Sequence, residues 1–157
     1  MPIPTYSVGQ VLGAADVNNW FVPLSAVATT DQSTSSLTFI NDNTLSVPVA
    51  ASANYAVELF IRCNGPNTSG VLFTFTGPSG ATLSATYVNA AATNDINLGN
   101  GFGINTLIST GTDEAFAVIG SLATSSTAGT LQVQFEMTGT GTITRRARSR
   151  LTLQRIG

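Results

Sequence analysis

Any chemistry in this chain must come from eight carboxylates, six arginines and one cysteine, because its 157 residues include no histidine and no lysine. Without histidine, neither a Ser-His-Asp nor a Cys-His arrangement can be assembled. Without lysine, Schiff-base and Ser-Lys chemistry are excluded as well. One cysteine and no histidine rule out the usual zinc ligand sets. A pair of carboxylates could still hydrolyse a glycosidic bond, so their placement matters. Asp113 and Glu114 are adjacent and on a strand would face opposite sides. Asp42 and Asp95 sit in "NDN" and "TND", contexts in which aspartate commonly bonds its own backbone. The "GNGFG" at 99–103 has the look of a phosphate loop, but such a loop needs a helix N-terminus after it. Here "INTLIST" (104–110) follows, and it reads as a strand. Neither 41–43 nor 94–95 has the spacing of a calcium loop. The expectation is a protein without enzymatic activity, cofactor or metal.

Charge is concentrated in one place. "RRARSRLTLQR" (145–155) holds five of the six arginines of a chain whose formal net charge is −2. On a continuous strand Arg146, Arg148 and Arg150 would line one face, with Ala147, Ser149, Leu151 and Leu153 turned inward. Two readings stand side by side. Arg145, Arg146, Arg148 and Arg150 form a contact stripe whose guanidinium forks meet carboxylates of a partner, or they charge a solvated edge strand against aggregation. So few basic residues with little aromatic interleaving make a thin footprint for nucleic acid, and no nucleic-acid partner is expected. No apolar stretch approaches the roughly 18 residues needed to span a bilayer, so no membrane partner is expected either.

The rest of the composition concerns surface and compartment. Only 9% of residues are charged, against about 25% in ordinary domains. The surface must therefore be covered by Thr, Ser, Asn, Gly and Ala, which protect poorly against association. Much of it either faces other protein or belongs to a Thr/Ser-rich extracellular domain. On the first reading the chain forms a small homo-oligomer, with a trimer as the expected state. "MPIPTYSV" has neither the charged nor the apolar region of a signal peptide, so a soluble protein made in a cytoplasm is expected, one that would leave the cell only by a route other than general secretion. Cys63 cannot form an internal disulfide; at the end of an alternating run it reads as a small buried side chain.

The elements that would position these residues are strands. "YAVELFIRC" (55–63) sets Tyr55, Val57, Leu59, Ile61 and Cys63 on one face, opposite Glu58 and Arg62. "TLQVQFEM" (130–137) does the same with Leu131, Val133, Phe135 and Met137. Such alternation marks half-buried strands. Further strands are read at 36–40, 44–49, 71–76, 82–88, 104–110, 114–122 and 148–156, with a long irregular stretch over 89–103. Short strands with turn signals every ten residues or so indicate an all-β antiparallel sandwich, jelly-roll-like, over residues 24–157.

Residues 1–23 break this pattern. In "VGQVLGAADVNNWFVP" (8–23) Gly13 can serve as N-cap, Asp16 falls in the first turn, and Leu12 with Val17 fits a hydrophobic staple. Val17, Trp20 and Phe21 share a face, and Pro23 ends the run. Helices this short are marginal alone and must dock. The expectation is an N-terminal arm whose anchoring residues are Leu12, Asp16, Val17, Trp20 and Phe21.

These residues carry a resemblance. "VGQVLGAADVNNWFVPL", through Gly9, Leu12, Ala14, Ala15, Asp16, Val17 and Asn18, is similar to the Gly-x-x-Leu-x-Ala-x-Asp-hydrophobic-Asn opening of small β-rich virion proteins of tailed phages of actinobacteria. "TTDQSTSSLTFINDNTLSVPVAASANYAVELFI" (29–61) continues in their style. The resemblance implies a virion structural protein made in the host bacterial cytoplasm, with the major capsid protein or tail proteins as partners. One compact domain without a fibrous repeat suits head decoration. The alternative is a minor tail or short fibre protein that binds a host surface glycan, with Tyr87 or Phe102 lining the site.

Overall fold

The computed structural model describes residues 7–11, 13, 14, 22–88, 93–99, 101–104 and 113–157. Among them are twelve strands: β1 (Leu24–Val27), β2 (Gln32–Thr34), β3 (Ile40–Val49), β4 (Asn54–Asn64), β5 (Val71–Thr76), β6 (Thr82–Val88), β7 (Thr93–Ile96), β8 (Phe102–Ile104), β9 (Glu114–Ala123), β10 (Gly129–Met137), β11 (Ile143–Arg145) and β12 (Arg150–Arg155). The larger sheet runs β1-β12-β4-β9-β6-β7, with β11 beside β4 and β2 beside β11; the smaller runs β3-β10-β5-β8. The pairings described are all antiparallel. In chain order the strands β3, β4, β5, β6, β9 and β10 fall in the small, large, small, large, large and small sheets, and β12 returns to the large one.

Side-chain alternation builds the core. Tyr55, Val57, Leu59, Ile61 and Cys63 of β4 are buried, as are Leu131, Val133, Phe135 and Met137 of β10. The two inner faces meet around Phe73 of β5, stacked on Phe135 at 5.8 Å and edge-on to Phe116 of β9 at 5.3 Å. Tyr87 of β6 closes the cluster edge-on to Phe116 at 5.1 Å. Each large apolar side chain so buried contributes about 1.5–3 kcal/mol. Pro48 sits within β3, which the smaller sheet tolerates because β3 is an edge strand. The β3–β4 turn is braced by side chains: Ala50 N–H donates to the Tyr55 hydroxyl at 2.9 Å, and Thr124 Oγ1 donates to Ala50 O at 2.7 Å.

Several expected boundaries move. Residues 36–38 form a hydroxyl-stabilised turn, in which Ser36 N–H donates to Thr34 Oγ1 at 3.0 Å and Ser36 Oγ donates to Thr38 O at 2.6 Å. The strand starts at Ile40 and runs through "NDN", which reads as a turn in the sequence. The physical reason is a bulge: β10 pairs Gln132 with Ser46 and Gln134 with Asn41, so the extra β3 residues arch out. The stretch 89–103 contains β7 and the start of β8, and Asp95 lies within β7. Of 104–110, only Ile104 is described, as the end of β8. The expected strand 148–156 begins at Arg150, because a turn precedes it.

The anchoring positions Leu12, Asp16, Val17, Trp20 and Phe21 lie outside the described residues. No helical arm is seen among the described residues before β1. A turn at Val8–Gly9, closed by Gln10 N–H to Ser7 O at 3.0 Å, precedes one helical residue, Ala14.

Candidate interaction surface

The four arginines expected to form a stripe sit on β11, a turn and β12, and the turn scatters them. Arg148 adopts φ 69° and is exposed. Ser149, fully buried, donates from Oγ to Arg146 O at 2.9 Å and accepts from Arg62 N–H at 3.0 Å. The backbone therefore reverses where a continuous strand was expected, and no stripe exists. Ser149, Leu151 and Leu153 are buried as the alternation requires, each 0% exposed, whereas Ala147 is only partly buried.

Arg145 is 1% exposed, so it cannot contact a partner. It ends β11 facing the core side, where Asp42 waits on the β3 bulge. Its Nε donates to Asp42 Oδ2 at 2.6 Å and its Nη2 to Oδ1 at 3.1 Å. Nη1 donates to Thr30 O at 2.6 Å, and Nη2 also reaches Thr44 Oγ1 at 3.2 Å and Gln32 Oε1 at 3.3 Å. Asp42 Oδ1 meanwhile accepts from the N–H groups of Thr44 and Leu45 and from Thr44 Oγ1, each at 2.9 Å. The aspartate does bond its own backbone, as its context suggests, and it also holds an arginine from the other sheet. This unit pins the bulge of the smaller sheet to the larger one.

The remaining expected contact residues are paired near the surface. Arg146 bonds Asp31 Oδ2 at 2.5 Å and Asp113 Oδ1 at 3.0 Å. Asp113 also takes Arg62 and accepts from Asn64 Nδ2 at 3.1 Å. Arg150 pairs with Glu58 at 2.9 Å and lies over the Phe60 ring at 5.5 Å. Four of the six arginines are thus neutralised within the chain. Sequence reading missed this because each partner lies far away in the chain.

Cys63 is fully buried, as expected. Burial first, then Glu114 and Asp113, pushes its thiol up from 9.0 to about 12. The folded thiol keeps its proton where the unfolded one loses it, so the associated stability holds below the unfolded value. It is lost as pH rises toward the folded value, at about 1.4 kcal/mol per pH unit. Iodoacetamide at mildly alkaline pH is therefore expected to leave native Cys63 unmodified and to label it on adding denaturant. Rapid native labelling would contradict the burial.

The outward face of the larger sheet remains. Register places Arg150, Phe60 and Ala117 in one row, Thr152, Glu58, Ile119 and Thr86 in the next, and Gln154, Ala56, Ser121 and Ser84 in a third. These rows consist mostly of small polar and apolar residues; Glu58 and Arg150 are paired, and the second row continues through Thr86 to Asp95 of β7. A concavity of about 290 Å³ opens between Leu24, Pro48, Tyr55 and Arg155 at the β1–β3 edge. Tyr87, expected to line a glycan site, is 1% exposed and belongs to the core; Phe102 lies on β8. Among the described residues no three His, Cys, Asp or Glu side chains are grouped to hold a metal, and no helix is long and apolar enough to cross a membrane.

These strands define an all-β antiparallel two-sheet sandwich. No protein-family model matches the sequence, and no curated protein matches it. Among solved structures, the chain is similar to an Eiger TNF from S. frugiperda, at 9% identity and TM-score 0.46, over 87% of this chain and 92% of that one. It is similar to a protein of infectious bursal disease virus, Gt strain, at 15% identity and TM-score 0.37, over 99% of this chain and 36% of that one. It is also similar to the CBM22-1–GH10 modules of the Clostridium thermocellum xylanase 10B, at 11% identity and TM-score 0.33, over 85% and 28%. The chain spans 36% of the viral protein's length. Scores this low do not bear on function.

Proposed function

We propose that this chain is a non-enzymatic structural protein of a tailed-phage virion, a self-associating jelly roll that decorates the capsid surface. The observation that carries the reading is the cancellation of charge within the chain. Ion pairs consume most of the few charges, leaving broad neutral faces of Ser, Thr and Ala. Such faces favour contact with other protein over dispersal in solvent. The two-sheet antiparallel sandwich, whose chain crosses between the sheets several times, supports the jelly-roll reading, a scaffold that viral shells use. The resemblance of the N-terminal residues to phage virion proteins points the same way, with the arm through Trp20 and Phe21 as attachment to the major capsid protein.

A minor tail or short fibre position is the other placement that the resemblance allows. Its expected glycan site loses Tyr87 to the core, so no described aromatic favours it. Two measurements test the proposal. Sedimentation of the purified chain is expected to show a defined oligomer, and a monomer persisting at high concentration would remove the self-association. Quantitative mass spectrometry of purified virions is expected to give a copy number comparable to that of the major capsid protein. A few copies per particle would move the chain to the tail.

A further inference from the structure

The unit around Arg145 holds more than an ion pair, because it brings a carboxylate, a hydroxyl and a carboxamide to one guanidinium nitrogen. Arg145 Nη2 donates to Asp42 Oδ1 at 3.1 Å, to Thr44 Oγ1 at 3.2 Å and to Gln32 Oε1 at 3.3 Å. The local fold sets this up: Gln32 opens β2 opposite Arg145 of β11, and Thr44 follows Asp42 on the β3 bulge. Each of the three groups stands where acyl transfer needs it. The Thr44 hydroxyl donates to Asp42 Oδ1 at 2.9 Å, the contact through which a base activates a nucleophile. Gln32 Oε1 accepts from Asn43 N–H at 2.7 Å as well as from Arg145. Two donors on one carbonyl oxygen polarise its carbon and stabilise the negative charge that an attack would place there. The Gln32 amide nitrogen donates to Asn41 O at 3.0 Å, which fixes the end of the amide that faces those donors. Asp42 and Arg145 are buried and Gln32 and Thr44 half-buried, so water is largely kept away.

We infer that this cluster joins Thr44 to Gln32 through an intramolecular ester. Asp42 takes the hydroxyl proton as Thr44 Oγ1 attacks Gln32 Cδ, and the Oγ1–Cδ bond forms. The charge that gathers on Oε1 lies between Arg145 Nη2 and Asn43 N–H. The Cδ–Nε2 bond then breaks, and the nitrogen leaves as ammonia with the proton that Asp42 held. No oxidant, reductant or second substrate is consumed. Nucleophile and carbonyl oxygen already bond the same nitrogen. Rotation within the Gln32 side chain is therefore the only movement needed to bring Cδ to an attack distance of roughly 3–3.5 Å. The reaction happens once per chain, so it makes a cross-link and not an enzyme. It ties β2, at an edge of the larger sheet, to the bulge of the smaller one. The Arg145–Asp42 pair joins the same two places by charge.

Mass spectrometry of the full chain tests this. After incubation of the folded protein at mildly alkaline pH, the wild type is expected about 17 Da below its sequence mass, the loss of one ammonia to the hydroxyl nucleophile. The first tryptic site is Arg62, so both partners stay in one peptide. That peptide is expected to carry the deficit and to yield no fragments between positions 32 and 44. Hydroxylamine, which cleaves esters, is expected to open the link and leave a hydroxamate on Gln32. Thr44→Val is expected to stay at its own sequence mass, with circular dichroism showing that it folds. Thr44→Ser, which keeps a hydroxyl, is expected to lose ammonia again. A wild type that remains at its sequence mass overturns the ester. So does a gain of about 1 Da, the mark of simple hydrolysis of Gln32 to glutamate. A deficit that persists in Thr44→Val overturns it as well, because the ammonia then came from elsewhere.

Discussion

Arg145→Ala is expected to lower the unfolding free energy by about 3–5 kcal/mol, the scale for removing one partner of a buried ion pair. For a domain of this size that is a fall in Tm of about 6–20 °C. Asp42, 2% exposed, would be left in the interior without its guanidinium partner. Its bonds from Thr44 and Leu45 would remain, but they offset only part of the desolvation. Arg145→Lys is expected to recover little, since one ammonium cannot reach Asp42, Thr30 O and Gln32 together as the fork does. The double variant Arg145→Met, Asp42→Asn is expected to be more stable than Arg145→Ala. It removes both charges while the asparagine oxygen still accepts from the bulge. Arg150→Ala supplies the contrast: its pair with Glu58 is half exposed on both sides, and exposed pairs contribute about 0–1 kcal/mol. Thermal and urea melts decide the matter. An Arg145→Ala protein as stable as Arg150→Ala would mean that the pin carries no weight.

How much of this was readable in advance depends on the length over which a period repeats. In β4 and β10 the alternation continues for nine residues or more, and every residue assigned inward is buried. In β1, β2, β7, β8 and β11, each of three or four residues, no period can establish itself. Those strands form because longer neighbours offer an unpaired edge, which is a property of the tertiary fold. The arginine stripe failed for a related reason. Period two holds only while the chain stays extended, and nothing in "RRARSR" announces that Arg148 takes φ 69°. The hydroxyl of Ser149 fixes that reversal through Arg62, a residue of another strand. The ion pairs were hidden by distance: Asp42 and Arg145 stand 103 positions apart. Composition did announce a surface short of charge. It could not announce that four of the six arginines would find carboxylate partners within the chain.

Gly120→Ala is the second large effect, expected to cost about 1–3 kcal/mol as overpacking between strands. Gly120 lies in β9 between Val57 of β4 and Ala85 of β6. A Cβ built there would collide with the Ala85 methyl and the Ser84 carbonyl oxygen, and would stand 2.5 Å from Ala85 Cα. No side-chain rotation relieves a clash with backbone, so β6 must move away from β9 and loosen the ladder from Thr82 to Val88. The companion variant Ala85→Gly removes one of the three obstructing atoms. The pair Gly120→Ala, Ala85→Gly is therefore expected to regain only a minor part of the loss, and glycine in a strand carries its own entropic cost. Full rescue would mean that the methyl alone forbids a side chain, so that the strands are not in close backbone approach. The neighbouring position gives the opposite readout. Ile119→Asp, at an exposed position, is expected to leave the melt unchanged, whereas Gly120→Ala should lower it. Melts of the two variants thus distinguish a residue that the spacing of the strands requires from its neighbour, which faces solvent.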